Sequence, residues 1–164
     1  MKKIITMCLV ALVGYAHAQT TNTINNQSKN NNMENEAKKV VTEFLTAVQK
    51  GDTQKLAALM HPDVEWSQPG NNQLSGIKRS RAEVFQMVGK MYELSYSTLV
   101  LTSIKSIGVN GNSVACLIHW NAGQPSGRIL DIDNIDVYTV ENGQITKVNI
   151  FTTDAEKEDK FWGE

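Results

Sequence analysis

The fold is decided by the stretch from Ile129 to Thr152, which reads ILDIDNIDVYTVENGQITKVNIFT. Two runs rich in β-branched residues flank the pair Asn142-Gly143, which can supply both positive-φ residues of a type I′ turn. The stretch is therefore predicted to form a β-hairpin. Because side chains along a strand alternate between two faces, the turn also sets which residues share a face.

The predicted register gives the hairpin two faces, and neither is a clean apolar stripe. Counting outward from the turn places Val137 opposite Val148. Asp131, Asp133 and Asp136 stand in a strand that must partly face a core. Buried carboxylates are costly unless they are paired or functional. These aspartates are therefore the main functional clue in the sequence.

The first 18 residues have the features of a signal peptide. A basic start at Lys2-Lys3 precedes an apolar run over 4–13, and Ala16-His17-Ala18 offers a small-residue cleavage site. The run is too short for a permanent membrane anchor, so we expect no membrane association after its removal. Residues 19–33 are mostly Thr, Asn, Gln and Ser, which predicts a disordered linker.

Removal of the leader leaves a mildly acidic chain with one cysteine. Loss of Lys2 and Lys3 from 16 basic residues leaves 14 against 17 acidic residues, a formal charge of −3. This charge does not favour nucleic acid as a partner. Loss of Cys8 leaves Cys116 alone, so we predict no intramolecular disulfide and an inert, packed thiol. Since the short lysine-led leader is bacterial in type, we expect export to the periplasm or extracellular medium of a bacterium.

The remaining residues, 34–164, have the length of one domain and begin with helical patterns. Apolar residues recur at helical spacing over 36–50, and Gly51 follows as a C-terminal cap. Asp52 can cap a short second helix, and the run 80–83, Ser-Arg-Ala-Glu, fits a capping box for a third. Three helices are therefore predicted in the first half of the domain.

After Ser95 the apolar period changes from helical to alternating. Residues 96–108 and 113–121 form β-rich runs around a second Asn-Gly pair, and they lead into the hairpin described above. A short strand is expected at 64–67. Helices that precede an antiparallel meander predict the α+β class.

Short motifs along the domain follow the order of one known superfamily. They are Gly-Asp at 51–52, Pro-Asp-Val at 62–64, Ser-Gly at 75–76 and the closing Val-Tyr-x-Val-x-Asn-Gly-x-Ile at 137–145. Over roughly residues 35–153 the chain resembles the nuclear transport factor 2-like superfamily, more narrowly its ketosteroid isomerase and SnoaL-like polyketide cyclase branch. The resemblance implies a cone-shaped, curved antiparallel β-sheet wrapped around three N-terminal helices, with an apolar pocket at its mouth.

When the three functional residues of ketosteroid isomerases are matched to this sequence one position at a time, one of them is present. Asp136, just before Val137, matches the aspartic acid that donates a hydrogen bond to a developing oxyanion and is held neutral by an apolar site. The isomerase base corresponds to Gln68, which cannot take a proton. The tyrosine of the oxyanion hole corresponds to Phe44, which has no hydroxyl. Ketosteroid isomerase chemistry is therefore not expected.

The sequence contains further candidate site residues, although their spacing does not place them together. His119 is the candidate second acid or base beside Asp136, with a hydrogen-bonded or surface histidine as the structural alternative. His61 precedes a proline at a helix end, where a capping role fits better than catalysis. No His and acidic residues stand at a recognised ligand spacing, so neither a metal nor a cofactor is expected. The predicted pocket wall consists of Phe44, Trp66, Gln68, Trp120, Asp133 and Tyr138.

Three functions follow from these expectations. The leading one is binding of a small apolar molecule. The second is a SnoaL-like enzyme, a cyclase, isomerase, hydrolase or dehydratase, that uses Asp136 with a second acid or base. The third is a homodimerising or protein-docking module, because the outer face of the sheet often dimerises in this superfamily and the pocket is sometimes vestigial. A filled cavity would favour the third. An enzyme that uses Asp136 with His119 or another aspartate would be ruled out if Asp131, Asp133 and His119 all face solvent.

Overall fold

The computed structural model describes the backbone of residues 8–163 and the side chains of residues 27–163 apart from Ser106. The chain divides into two units, Met1–Met33 and Glu34–Glu164, and the second contains the sheet. The elements in chain order are α1 (Cys8–Lys50), α2 (Thr53–Leu59), β1 (Met60–Gln68), β2 (Gly76–Lys78), α3 (Arg81–Leu94), β3 (Val100–Asn110), β4 (Ser113–Gly123), β5 (Ile129–Glu141), β6 (Gln144–Thr152) and α4 (Ala155–Trp162).

Helix α1 begins earlier than the sequence predicts. It starts at Cys8, so residues 19–33, predicted as a disordered linker, are helical. The side chains of residues 27–33 are exposed. The predicted basic start at Lys2-Lys3 lies outside the described residues, and the signal peptide stays a prediction. Among the described residues, no helix combines the length and apolar character that crossing a membrane requires.

Six strands form one curved, open sheet in the order β2-β1-β6-β5-β4-β3. The predicted α+β class is confirmed, and so is the antiparallel meander, since β3 to β6 pair in chain order. Two features differ from the prediction. Strand β1 runs parallel to β6, and the short strand β2 is added at one edge. A parallel pairing between distant strands needs no local turn, so the local sequence carries little sign of it.

The structure confirms the hairpin turn and the helix caps that were predicted from neighbouring residues in the sequence. Asn142 and Gly143 adopt φ angles of 51° and 76°, as a type I′ turn requires. The side chains of Asp52 and Ser80 each accept a hydrogen bond from a backbone N–H in the first turn of α2 and α3. These short-range features position the hairpin and both helices.

A β-bulge next to Thr139 changes the predicted hairpin register. Every pair beyond the bulge is shifted by one residue, so Val137 lies opposite Asn149 and the predicted pairing with Val148 is wrong. Asp136 consequently lies opposite Ile150. The shift puts the apolar face of β6 on the same side of the sheet as Asp136, which makes that side a core.

The chain ends in a fourth helix, α4, in addition to the three that the resemblance implies. Asp154 Oδ1 accepts a hydrogen bond from the backbone N–H of Lys157 at 2.9 Å and caps the helix. Phe161 and Trp162 are buried, and their ring centroids lie 4.8 Å apart in an edge-to-face arrangement. Their burial fixes α4 against the rest of the domain.

Candidate ligand-binding site

A cavity of about 300 Å³ lies between the inner face of the sheet and the helices. Its volume is at the lower end of the range for small-molecule pockets, roughly 300 to 1,000 Å³. Among the described residues, no Lys, Arg or His side chain lines it. Apolar side chains from α1, α3 and β5 make up much of the wall, among them Leu45, Val48, Val84, Met87, Leu130 and Ile132.

Aromatic side chains from a helix and the sheet form one wall of the cavity. The ring of Phe44 on α1 lies 5.8 Å from the ring of Tyr138 and 6.4 Å from that of Trp66. Trp66 Nε1 donates a hydrogen bond to Gln68 Oε1 at 3.3 Å. Trp120 on β4 also lines the cavity. The structure thus places these five predicted pocket residues at the cavity.

The polar end of the cavity consists of Asn134, Asp136 and Tyr138 from β5 and Glu158 from α4. The three β5 residues stand at alternate positions, so their side chains project from the same face of the sheet. Tyr138 Oη donates a hydrogen bond to Asp136 Oδ2 at 2.9 Å. Asn134 Nδ2 donates to Glu158 Oε1 at 3.1 Å. All four side chains are buried, so this end of the cavity is polar but shielded from water.

Burial raises the pKa of Asp136 to about 7. The ionised carboxylate loses its hydration in apolar surroundings, and this is the largest cause of the shift. The hydrogen bond from Tyr138 lowers the pKa, and the negative charge of Glu158 raises it further. Near neutral pH Asp136 is therefore present in both protonation states, and it can donate a proton or accept one.

The other titratable groups of the polar end also have shifted pKa values. Burial raises the pKa of Glu158, while the side chains of Asn134 and Thr152 act in the opposite direction. Burial and the neighbouring Asp136 hold the pKa of Tyr138 well above its usual value. The phenol consequently stays neutral and serves as a hydrogen-bond donor to Asp136.

Three oxygen atoms at the polar end have no hydrogen-bond partner among the described residues. They are Asn134 Oδ1, Asp136 Oδ1 and Glu158 Oε2, on side chains that are at most 5% exposed. A buried polar atom left unpaired costs roughly 1–3 kcal/mol, and folded proteins contain few of them. They are acceptors beside the cavity that the described part of the protein leaves unpaired.

The structure places His119 and Asp133 on the outer face of the sheet, away from the cavity. His119 Nε2 lies 2.7 Å from Asp131 Oδ1, and its Nδ1 lies 2.6 Å from Asp133 Oδ1. Lys105 Nζ donates to both Asp133 carboxylate oxygens at 2.7 Å and holds the pKa of Asp133 below its usual range. The placement of Asp133 and His119 at the pocket was therefore wrong. Strand alternation separates His119 from Trp120, but it does not say which of the two faces the core.

A pair of variants at adjacent positions of β4 tests this placement. We expect His119→Gln to change the free energy of unfolding by no more than about 1 kcal/mol, as is usual for exposed ion pairs, and to leave binding in the cavity unchanged. Trp120→Ala removes a cavity wall and should weaken binding of any cavity ligand. Isothermal titration calorimetry compares the two variants. Binding lost in His119→Gln but kept in Trp120→Ala would contradict the assignment of the faces.

Two further residues singled out in the sequence have structural roles. Cys116 is buried, as predicted for a packed thiol, and burial together with the charge of Asp136 raises its pKa to about 12. Its lack of reactivity stays a prediction. His61 lies in β1, where its Nδ1 accepts a hydrogen bond from the backbone N–H of Asp63 at 3.1 Å, so the predicted helix-capping role was wrong. Among the side chains that the structure describes, no group of three or more His, Cys, Asp or Glu is placed to hold a metal ion.

Two polar residues of the site, Asn134 and Glu158, were not predicted from the sequence. Asn134 shares the face of Asp136 by strand alternation, whereas Glu158 lies on α4. It stands in a charged C-terminal segment, but it shares one helical face with Phe161 and Trp162, at spacings of three and four residues. Asp154 ahead of this pattern is an N-cap signal. Glu158 could therefore have been identified from the sequence as an acid on the apolar face of a capped helix.

Comparison with known proteins gives the same fold. Residues 41–148 match the model of a family described as SnoaL-like domain. A Xanthomonas campestris protein of unknown function with a cystatin-like fold is 34% identical, has a TM-score of 0.75 and covers 78% of this chain and 98% of that one. An NTF2-like protein from Burkholderia xenovorans LB400 is 21% identical, with a TM-score of 0.68 over 79% of this chain and 98% of that one.

A third solved structure has the same fold. It is a putative SnoaL-like polyketide cyclase from Jannaschia sp. CCS1, 17% identical, with a TM-score of 0.63 over 74% of this chain and 88% of that one. At this identity the likeness shows the fold alone. Proteins with this fold commonly bind small molecules or act as enzymes. The match over residues 41–148 shows that the chain belongs to the family described as SnoaL-like domain, and its fold is the one found in NTF2-like proteins.

Proposed function

We propose that this domain binds a small, largely apolar organic molecule whose polar group meets Asp136. The observation that carries the proposal is the unpartnered Asp136 Oδ1 in a cavity with mostly apolar walls. An ordinary core position would hold an apolar residue or a fully paired polar one. A titratable group with a strongly shifted pKa in a cavity is typical of a functional site.

The open cavity supports ligand binding more than the docking-module alternative, for which a filled cavity was expected. The apolar wall can remove most of a small ligand's surface from water, and each buried square ångström of apolar area contributes about 25 cal/mol. The polar end then sets the orientation of the ligand through a few hydrogen bonds. Affinity and orientation thus come from different parts of the cavity.

A thermal-shift screen of steroid-like, terpenoid and polyketide-like compounds tests the proposal. A compound present at about 100 times its Kd should add about 2.7 kcal/mol to the free energy of unfolding, which corresponds to a rise in Tm of roughly 5–10 °C. Asp136→Asn should reduce the shift, because the substitution changes the group that meets the ligand. Asp63→Asn, an exposed change on β1, should not. Failure of every compound to raise the Tm would contradict ligand binding.

A second candidate function is acid–base catalysis in the same cavity. The observation that favours it is the presence of two buried carboxyl groups, Asp136 and Glu158, at one end of the cavity. One can donate a proton while the other accepts one, as general acid–base chemistry requires. The version with His119 as the second group has no support, since that side chain lies outside the cavity. Chromatography can detect whether a bound compound is converted to a product. A product that is formed by the wild type but not by Glu158→Gln, with binding retained, would support catalysis. If no bound compound is converted, catalysis is excluded.

A further inference from the structure

We propose that the molecule bound in the cavity is a hydrophobic amine, held as its ammonium cation by the oxygens of Asn134, Asp136 and Glu158. The inference rests on the proposed binding function and adds the chemical class of the ligand.

The unpartnered atoms at the polar end are all oxygens. Asn134 Oδ1 is an acceptor at every pH, since its amide cannot lose or gain a proton under ordinary conditions. The carboxylates of Asp136 and Glu158 accept hydrogen bonds and donate none when ionised. A primary ammonium group carries three N–H donors and no acceptor, which complements a set of unpaired acceptors. A ketone has no donor to offer Asn134 Oδ1.

The charges around the cavity also favour a cation. Two buried acids, Asp136 and Glu158, stand at one end, and no Lys, Arg or His lines the cavity among the described residues. The other titratable groups that face Asp136 or the cavity are Tyr138 on β5, Cys116 on β4 and Tyr92 on α3. None of these is a cation. When Asp136 is ionised, no cationic side chain lining the cavity pairs with its buried charge, and a ligand with a positive charge can supply that partner.

The remaining walls suit the rest of such a ligand. The apolar surface can bury a hydrocarbon or aryl group, and the rings of Phe44, Trp66 and Trp120 line the same cavity. Aromatic faces attract ammonium groups, and the attraction is stronger when the cation is desolvated. An anionic ligand of the same shape would instead meet two acids in a poorly hydrated space.

An amine and a neutral carbonyl compound should bind with opposite pH dependence. The amine needs ionised Asp136, so its affinity should rise as the pH passes through about 7. A carbonyl compound needs the protonated carboxyl as a hydrogen-bond donor, so its affinity should fall over the same range. The sign of the change therefore distinguishes the two ligand classes.

Titration calorimetry of the full chain with 4-phenylbutylamine, 4-phenylbutanol and 4-phenylbutyrate at pH 6 and pH 8 tests the inference. We expect the amine to bind tightest of the three at pH 8, and about tenfold tighter there than at pH 6, in line with the ionised fraction of Asp136. Asp136→Asn should lose about tenfold in amine affinity and most of its pH dependence, while the alcohol changes little. Glu156→Gln removes an acid of α4 that does not line the cavity, and it should bind the amine like the wild type.

The outcomes separate this inference from the proposed function. Alcohol binding tighter than amine binding at pH 8, or amine affinity that falls as the pH rises, would overturn the amine assignment and leave the binding function in place. Equal loss of amine affinity in Glu156→Gln and Asp136→Asn would also overturn it, because the attraction would then be a general charge effect. If neither these compounds nor the larger panel binds, the binding function itself is wrong.

Discussion

Asp136→Asn is expected to be more stable than the wild-type protein at pH 8. The unfolding free energy of the wild type should decrease between about pH 4 and pH 7, and most of this decrease should be absent in the variant. The carboxyl has an ordinary pKa of 3.8 and a folded-state pKa of about 7. A difference of this size corresponds to about 4 kcal/mol. The asparagine oxygen can still accept the hydrogen bond from Tyr138 Oη, so the substitution removes the titration and keeps the packing.

The sign of the effect follows from the direction of the shift. Since the pKa of Asp136 is higher in the folded state, folding binds the proton more tightly. The stabilising contribution is complete below about pH 3.8 and is lost as the pH rises through about 7. Carboxyls with a lowered pKa, such as Glu65 and Asp133, act in the opposite direction at lower pH. The difference between the two proteins is therefore the informative quantity.

Urea unfolding at a series of pH values from 4 to 8 measures this difference. The exposed variant Asp63→Asn serves as the control and should follow the wild-type curve, because it makes the same chemical change away from the cavity. If the unfolding free energies of the wild type and Asp136→Asn depend on pH in the same way, the Asp136 carboxyl titrates normally. The polar end would then lack the buried acid with a raised pKa on which the proposed site depends.

Phe161→Ala is expected to lose about 3–5 kcal/mol of unfolding free energy and to abolish ligand binding. The ring is 3% exposed and packs edge-on against Trp162. The backbone carbonyl of Phe161 also accepts a hydrogen bond from Gln124 Nε2 at 3.0 Å. Loss of the ring leaves a void under α4, and α4 carries Glu158 into the cavity. The variant should therefore lose stability and binding together.

Phe161→Leu is the matched control. It keeps most of the buried apolar volume, so we expect a cost below about 1.5 kcal/mol and retained binding. Thermal unfolding and calorimetric titration of both variants give the two readouts. An alanine variant with wild-type binding would show that the position of α4 does not matter to the site.

Local chemistry explains which parts of the fold could be predicted from the sequence. The Asn142-Gly143 turn and the cap at Asp52 depend on residues a few positions apart, and both are present in the structure. The bulge at Thr139 depends on how two strands pack against the rest of the sheet, so counting from the turn could not find it. The parallel pairing of β1 with β6 likewise joins distant parts of the chain.

The candidate site shows the same division between local and long-range information. Asp136 could be identified because the resemblance covers its strand, and Tyr138 shares its face by simple alternation. Asp133 and His119 were misplaced because alternation leaves the choice of the inner face open. Glu158 comes from a segment beyond the span of the resemblance, roughly residues 35–153, and only tertiary packing brings it beside Asn134.

The pKa of the Asp136 carboxyl, measured by NMR in protein carrying ¹³C-labelled aspartate, tests the central claim most directly. We predict one carboxyl resonance, absent from Asp136→Asn, whose titration midpoint lies near pH 7 in the free protein. Saturation with the amine should lower that midpoint, because the ammonium stabilises the carboxylate. A midpoint near the ordinary value of 3.8, unchanged by any ligand, would contradict a buried, ligand-recognising acid in this cavity.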